Sequence, residues 1–241
     1  MSDTGKYRRR FQGAGFDILL ADLKAVMAGW RGSLAAIRRR MLRVALTGLL
    51  LTAAAFALDG RVQCCVDGFS SPEVKHWARE ISSKAQPFKL PALLIMSMWL
   101  AGSVRRDPRL RQAAMAVLLS IAAAGLAVNV LRVVAGRARP YVGKEWKPLS
   151  IEEEFQSFPS AHTTVAFATA VSAAEAYPSV APVLLPLAGA VGWSRIYLHD
   201  HHLSDVVAGA YVGTLVAMLF TAGLRRNGKS PRPEPDASGR G

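Results

Sequence analysis

Residues 203–223 read LSDVVAGAYVGTLVAMLFTAG, an apolar run near the roughly 20 residues that a helix needs to cross a bilayer. Five more apolar stretches precede it, at about 41–59, 90–104, 113–131, 160–178 and 179–198. With 51% hydrophobic residues and a mean hydropathy of +0.21, the 241-residue chain reads as an integral membrane protein. The expected fold is all-α: a bundle of six transmembrane helices over 41–223, preceded by a cytoplasmic amphipathic segment over 1–40 and followed by a disordered tail over 224–241. The stretch 90–104 is short at 1.5 Å per residue, so Phe88 is expected to extend it and Arg105 to snorkel outward. Ala122, Ala123, Ala124, Gly125, Ala166, Ala168, Ala170, Gly189, Gly209 and Gly213 allow helices to approach closely.

In the first forty residues Phe16, Leu19, Leu20, Leu23, Val26, Met27, Trp30, Leu34 and Ile37 recur at three- and four-residue steps, with Asp17, Asp22, Lys24, Arg31 and Arg38 between them. Such a helix lies along a membrane face or packs on another part of the protein. Arg38-Arg39-Arg40 precedes an apolar run that ends in the A-x-A-like Ala55-Phe56-Ala57, but the long leader favours an uncleaved first span. The tail 227–241 lacks the apolar residues that a packed core requires.

The net charge of +13 raises the question of nucleic acid, yet the basic clusters flank apolar stretches and accompany no reader motif, so no nucleic-acid partner is expected. The clusters 38–43, 105–111 and 225–226 fall on one side of an even number of spans, which the positive-inside rule makes cytoplasmic. Loops 60–89 and 132–159 and the turn at 199–202 then face outward. Arg132, Arg137, Arg139, Lys144 and Lys147 stand on that side against the rule, and a ligand-binding role for some of them would explain the exception. Loop 60–89 has the start of a short helix at Pro72 and Glu73 after Ser71. The adjacent Cys64 and Cys65 specify no disulfide framework.

Three outward segments carry chemistry: Arg132-x6-Arg139-Pro140, Pro159-Ser160-Ala161-His162, and Ser194-Arg195-x5-His201-x3-Asp205. His201 and Asp205, four apart at a helix start, share a face, so the carboxylate can accept from one ring nitrogen and leave the other nucleophilic. Taken alone, the pair also suits an interfacial histidine beside an aspartate that serves the helix dipole. His162 follows a helix-start serine, where free backbone N–H groups suit a phosphate, and could donate a proton or simply cap the helix. Arg132, Arg139 and Arg195 are suited to phosphate oxygens or to interfacial anchoring. His199, Asp200, His201 and His202 cluster as metal ligands might, but an arginine-lined pocket repels a divalent cation.

Taken jointly, the three segments resemble the signature motifs of the type 2 phosphatidic acid phosphatase superfamily, K-x6-RP, PSGH and SR-x5-H-x3-D. The resemblance runs from Arg132 to Asp205 and departs twice, with Arg132 for lysine and Ala161 for glycine. It implies catalytic residues His201 (nucleophile), Asp205 (its orienter) and His162 (general acid). It further implies phosphate ligands Arg132, Arg139, Ser160, Ala161 and Arg195, with no metal and no cofactor. The implied activity is hydrolysis of a membrane lipid phosphate or diphosphate through a phosphohistidine, at the outer face of the cytoplasmic (inner) membrane. Undecaprenyl diphosphate, phosphatidylglycerol phosphate, phosphatidic acid and lipid A phosphate are the substrates this resemblance brings into view. Transfer to a lipid or sugar hydroxyl, or binding and transport without turnover, are the alternatives.

Overall fold

The computed structural model describes residues 4–84 and 89–224, with the side chains of 4–14 and 29–36 outside that description. The described residues form seven helices: α1 (Thr4–Gly68), α2 (Pro72–Lys84), α3 (Lys89–Val104), α4 (Pro108–Ala135), α5 (Ala161–Ala176), α6 (Ala181–Tyr197) and α7 (Leu203–Thr221). Single 3-10 turns occupy Glu153–Phe155 and Pro178–Val180. Among the described residues the strand content is one isolated bridge, Arg137 with Trp146.

α5 lies at the centre and packs against α7, α4 and α6, while α7 also packs on α1. Alanines fill this core: Ala113, Ala114, Ala116, Ala124, Ala168 and Ala217 are fully buried, so backbones come close and dispersion replaces bulky interdigitation. Large apolar side chains point the other way. Leu42, Leu46, Leu49, Leu50, Leu93, Leu126 and Val130 are exposed, the inversion expected where lipid is the solvent.

Of the six expected spans, the described residues support four or five. Among the described residues four helices are long and apolar enough to cross a membrane, Ile37–Gly68, Pro108–Ala135, Pro178–Tyr197 and Leu203–Thr221, or five if α2 and α3, inclined at 48°, form one broken span. The physical reason is length: α3 and α5 have 16 residues each, which at 1.5 Å per residue fall short of a hydrocarbon layer about 30 Å thick.

The amino-terminal segment and the first span form one continuous helix, and it runs nine residues past the apolar stretch that ends at 59. Asp59, Gln63 and Asp67 recur every four residues: Asp59 bonds Arg137 and, at the start of α7, Ser204, and Gln63 and Asp67 bond His199 in the loop before it, which holds the extra turns. Near its start, Asp22 is buried against Arg111 at 3.0 Å and Val26 packs with Ala113 and Ala116, while Phe16 and Leu19 stay exposed. This part of α1 is therefore packed on α4. Trp30, Arg31 and Leu34 of the expected amphipathic pattern, and the tail 225–241, lie outside the description. α2 begins where the sequence indicates, with Ser71 Oγ accepting the Val74 N–H at 3.2 Å.

Candidate active site

Gly136 ends α4 in the left-handed conformation (φ 61°), and a Cβ there would stand 1.8 Å from the Lys147 carbonyl oxygen, so the position admits only glycine. The turn doubles the chain back on itself: Lys147 N–H donates to Gly136 O at 2.6 Å and Ala138 N–H to Glu145 O at 2.9 Å. It keeps Arg132, on the last turn of α4, at the same end of the molecule as Arg137 and Arg139. Arg139 N–H then donates to Glu154 O and Ser157 N–H to Arg137 O, which brings residues 157–160 to the start of α5. Ser160 N–H donates to Asp205 O at 3.0 Å and ties that start to the first turn of α7.

His201 lies in the turn just before the N-cap residue of α7 and Asp205 in the first turn of that helix, and they stand 3.6 Å apart between Nδ1 and Oδ2, beyond a good hydrogen bond. The hydroxyl of Ser157 stands between them, donating to Asp205 Oδ2 at 2.6 Å and lying 3.4 Å from His201 Nδ1. His202 N–H donates to the same Oδ2 at 2.8 Å. The imidazole thus presents Nδ1 to the acid and keeps Nε2 for chemistry. It is 2% exposed, and burial holds it below the ordinary histidine range, so it is neutral at pH 7.

Arg137 is the functional residue that motif reading passed over. Its guanidinium donates to Asp205 Oδ1 at 2.6 Å, to Ser204 Oγ at 2.6 Å and to Asp59 Oδ2 at 2.8 Å, while Phe56 and Trp146 lie 4.7 and 5.3 Å from it. Asp59 in turn accepts from Ser204 N–H and Oγ. An Asp–Arg–Asp triad therefore fixes the carboxylate behind His201 and joins α1 to α7. For Arg137 these ion pairs, and for Lys147 its pair with Glu152 at 2.5 Å, replace the ligand-binding explanation of outward charge.

The other motif residues converge. The charges of Arg195, Arg132 and Arg139 all bear on His162, and the three guanidiniums feel one another. Arg132 Nε donates to Gln156 O at 2.7 Å, and Arg139 Nε to Glu153 O at 3.2 Å. Arg195 bonds Ser82 of α2 and pairs with Asp200 at 3.0 Å, leaving its buried Nε without a partner among the described residues. Ser160 is the N-cap residue of α5, yet its hydroxyl makes no capping bond and accepts from Thr163 Oγ1 at 3.1 Å. Ala161 and His162 open the helix, where the first-turn N–H groups point outward. His199 is turned aside: its Nδ1 donates to Gln63 Oε1 at 2.8 Å and its Nε2 lies 3.4 Å from Asp67. Among the described residues no group of three His, Cys, Asp or Glu side chains is arranged to hold a metal ion.

Fold and site together define a multi-pass helical membrane protein whose guanidinium-lined pocket holds two imidazoles, one backed by a carboxylate. The PAP2 superfamily model matches residues 113–229, just under half of the chain. The chain is 30% identical over 125 residues to the lipid A 1-phosphatase of Rhizobium johnstonii, covering 50% of this chain and 51% of that one. It is 28% identical over 130 residues to the undecaprenyl-diphosphatase BcrC of Bacillus subtilis, covering 54% and 65%. The chain spans about half the length of the rhizobial relative it matches. The crystal structure of a transmembrane PAP2 type phosphatidylglycerolphosphate phosphatase from Bacillus subtilis superposes with a TM-score of 0.61 at 25% identity, covering 80% of this chain and 98% of that one. Aquifex aeolicus LpxE shares the fold at a TM-score of 0.51 and 19% identity, over 68% and 94% of the two chains.

Proposed function

We propose that this protein is a membrane phosphatase that removes phosphate from a lipid phosphate or diphosphate through a phosphohistidine, at the outer face of the cytoplasmic membrane. His201 Nε2 attacks phosphorus while the bond from phosphorus to the lipid-side oxygen breaks, and His162 gives that oxygen its proton. Water then attacks the phosphorus, His162 takes its proton back, and the P–N bond returns its electrons to Nε2. Arg132, Arg139 and Arg195, with the N–H groups at the start of α5 around Ser160 and Ala161, hold the phosphoryl oxygens as charge redistributes. Asp205 steadies the imidazolium that forms.

The observation that carries this reading is the buried His201 whose Nδ1 faces Asp205 and Ser157, gathered with His162 and three guanidiniums. A lipid substrate is supported by an apolar groove of about 230 Å³ between α3, α5 and α6, lined by Leu90, Leu94, Val165, Leu184, Leu187 and Val191. Val165 and Val191 sit one turn from His162 and Arg195, so a tail in that groove would lie beside the reacting phosphate. Polyprenyl diphosphate and lipid A phosphate are the first substrates to try, since relatives are named for both.

The purified protein, in detergent with chelator, is expected to release inorganic phosphate from at least one of polyprenyl diphosphate, lipid A phosphate and phosphatidylglycerol phosphate. His201→Ala and His162→Ala should each lower turnover by about a thousandfold or more. Undiminished turnover by His201→Ala, or a strict need for added divalent metal, would sink the proposal.

A further inference from the structure

We propose that Asp200 is the resident counter-ion of the phosphate-binding arginines: a carboxylate that incoming phosphate must displace and that helps expel inorganic phosphate after hydrolysis. The inference rests on the phosphatase reading and concerns the same pocket. Asp200 Oδ2 lies 3.0 Å from Arg195 Nη2, and its Oδ1 lies 3.8 Å from Arg139 Nη1, so one carboxylate spans two of the three guanidiniums assigned to phosphate. Those guanidiniums are nearly buried, with side chains 11% and 9% exposed, where charge contacts are screened least. Phosphate and Asp200 are both oxyanions and call on the same N–H donors. The buried, unpartnered Nε of Arg195 gives phosphate a first donor before the Nη2 contact is surrendered.

Asp200 is held in this place from behind. His199 adopts the left-handed conformation (φ 58°), uncommon for a residue with a side chain, and its ring is anchored on Gln63 and Asp67 of α1. Asp200 N–H and His201 N–H both return to Arg195 O, at 3.0 and 3.2 Å. The turn therefore sets carboxylate, nucleophile and arginine in one rigid unit. A second acid, Glu153, also reaches Arg139, at 3.3 Å, but its side chain is 83% exposed and water screens it.

The test measures inhibition of lipid-phosphate turnover, and direct binding, by inorganic phosphate and orthovanadate on the purified full-length protein. Asp200→Asn is expected to tighten both anions by about three- to tenfold and to lower KM, the effect of removing one competing charge contact. Turnover should fall if product release limits the rate. Asp200→Glu keeps the charge and should return affinity toward that of the native protein, while Glu153→Gln should shift it less than twofold. Unchanged or weaker anion binding by a folded Asp200→Asn protein would overturn the inference and make Asp200 a support for the arginines instead. If the native protein binds neither anion, or Arg195→Ala leaves their binding unchanged, the phosphatase reading itself fails along with it.

Discussion

Arg137 carries an electrostatic load larger than its place in the middle of a motif spacer would suggest. Its guanidinium is nearly buried, and so are the Asp59 and Asp205 carboxylates it joins. Arg137→Leu strands both carboxylates without their cation, a loss of about 3–5 kcal/mol by comparison with other broken buried pairs. Arg137→Lys keeps the charge but cannot reach two carboxylates and a hydroxyl at once, so it should recover only part of that stability. Thermal unfolding in detergent of the two variants beside the native protein checks the order, and equal stability of all three would contradict it. Turnover should fall in both, because Asp205 loses the contact that aims it at His201. The relation of His201, Asp205 and Arg195 was readable because it is local, spanning 11 residues from the last turn of α6 through a short loop to the first turn of α7. Arg137 was not, since its partner Asp59 lies 78 positions away and only folding brings them together. Ser157, 48 positions from Asp205, is hidden for the same reason.

The pairing of α5 with α7 is what sets Ser160 and His162 beside Asp205 and His201, and it depends on glycine. A Cβ on Gly213 would stand 2.2 Å from the Thr164 carbonyl oxygen, and one on Gly209 would stand 2.7 Å from that of Ser160. Both obstacles are backbone, which cannot swing aside as a side chain would. Gly213→Ala should therefore force the helices apart and cost about 1–3 kcal/mol, with loss of turnover as the site opens. Gly125 in α4 has nothing within 4 Å of its added Cβ, and Gly125→Ala should leave stability unchanged or raise it by up to about 1 kcal/mol. Unfolding midpoints of the two variants test the contrast, and equal losses would show that small residues alone, rather than this contact, matter. The sequence marked Gly125, Gly189, Gly209 and Gly213 alike as close-approach positions, yet Gly125 and Gly189 face open space. Composition identifies residues that permit contact, while the partner across the gap decides which of them make it. Hydropathy was similarly blind to length. It placed the apolar stretches correctly but could not tell that the 16-residue α5 sits wholly within the bundle, surrounded by α4, α6 and α7.

Across the whole molecule, the arginine-rich loop before α4 and the site lie at opposite ends. α5 begins at the site with Ala161 and ends at Ala176, whose carbonyl accepts from Arg109, next to the Arg40–Glu175 pair at 2.6 Å. The arginine-rich loop before α4 is thus one helix length, about 24 Å, from His162. The proposed orientation puts the arginine-rich end in the cytoplasm, as the positive-inside rule predicts, so that the pocket would open outward to a substrate whose phosphate is presented at the outer leaflet. Cys64 and Cys65 test this, for both are exposed on α1 beside Gln63, which bonds His199 and His201 at the site end. A membrane-impermeant maleimide added to intact spheroplasts should label the native protein. In a protein with both cysteines changed to serine, Arg106→Cys should stay unlabelled until the membrane is broken. The reverse pattern would put the pocket in the cytoplasm and leave the chemistry at His201 intact but facing substrates of the inner leaflet.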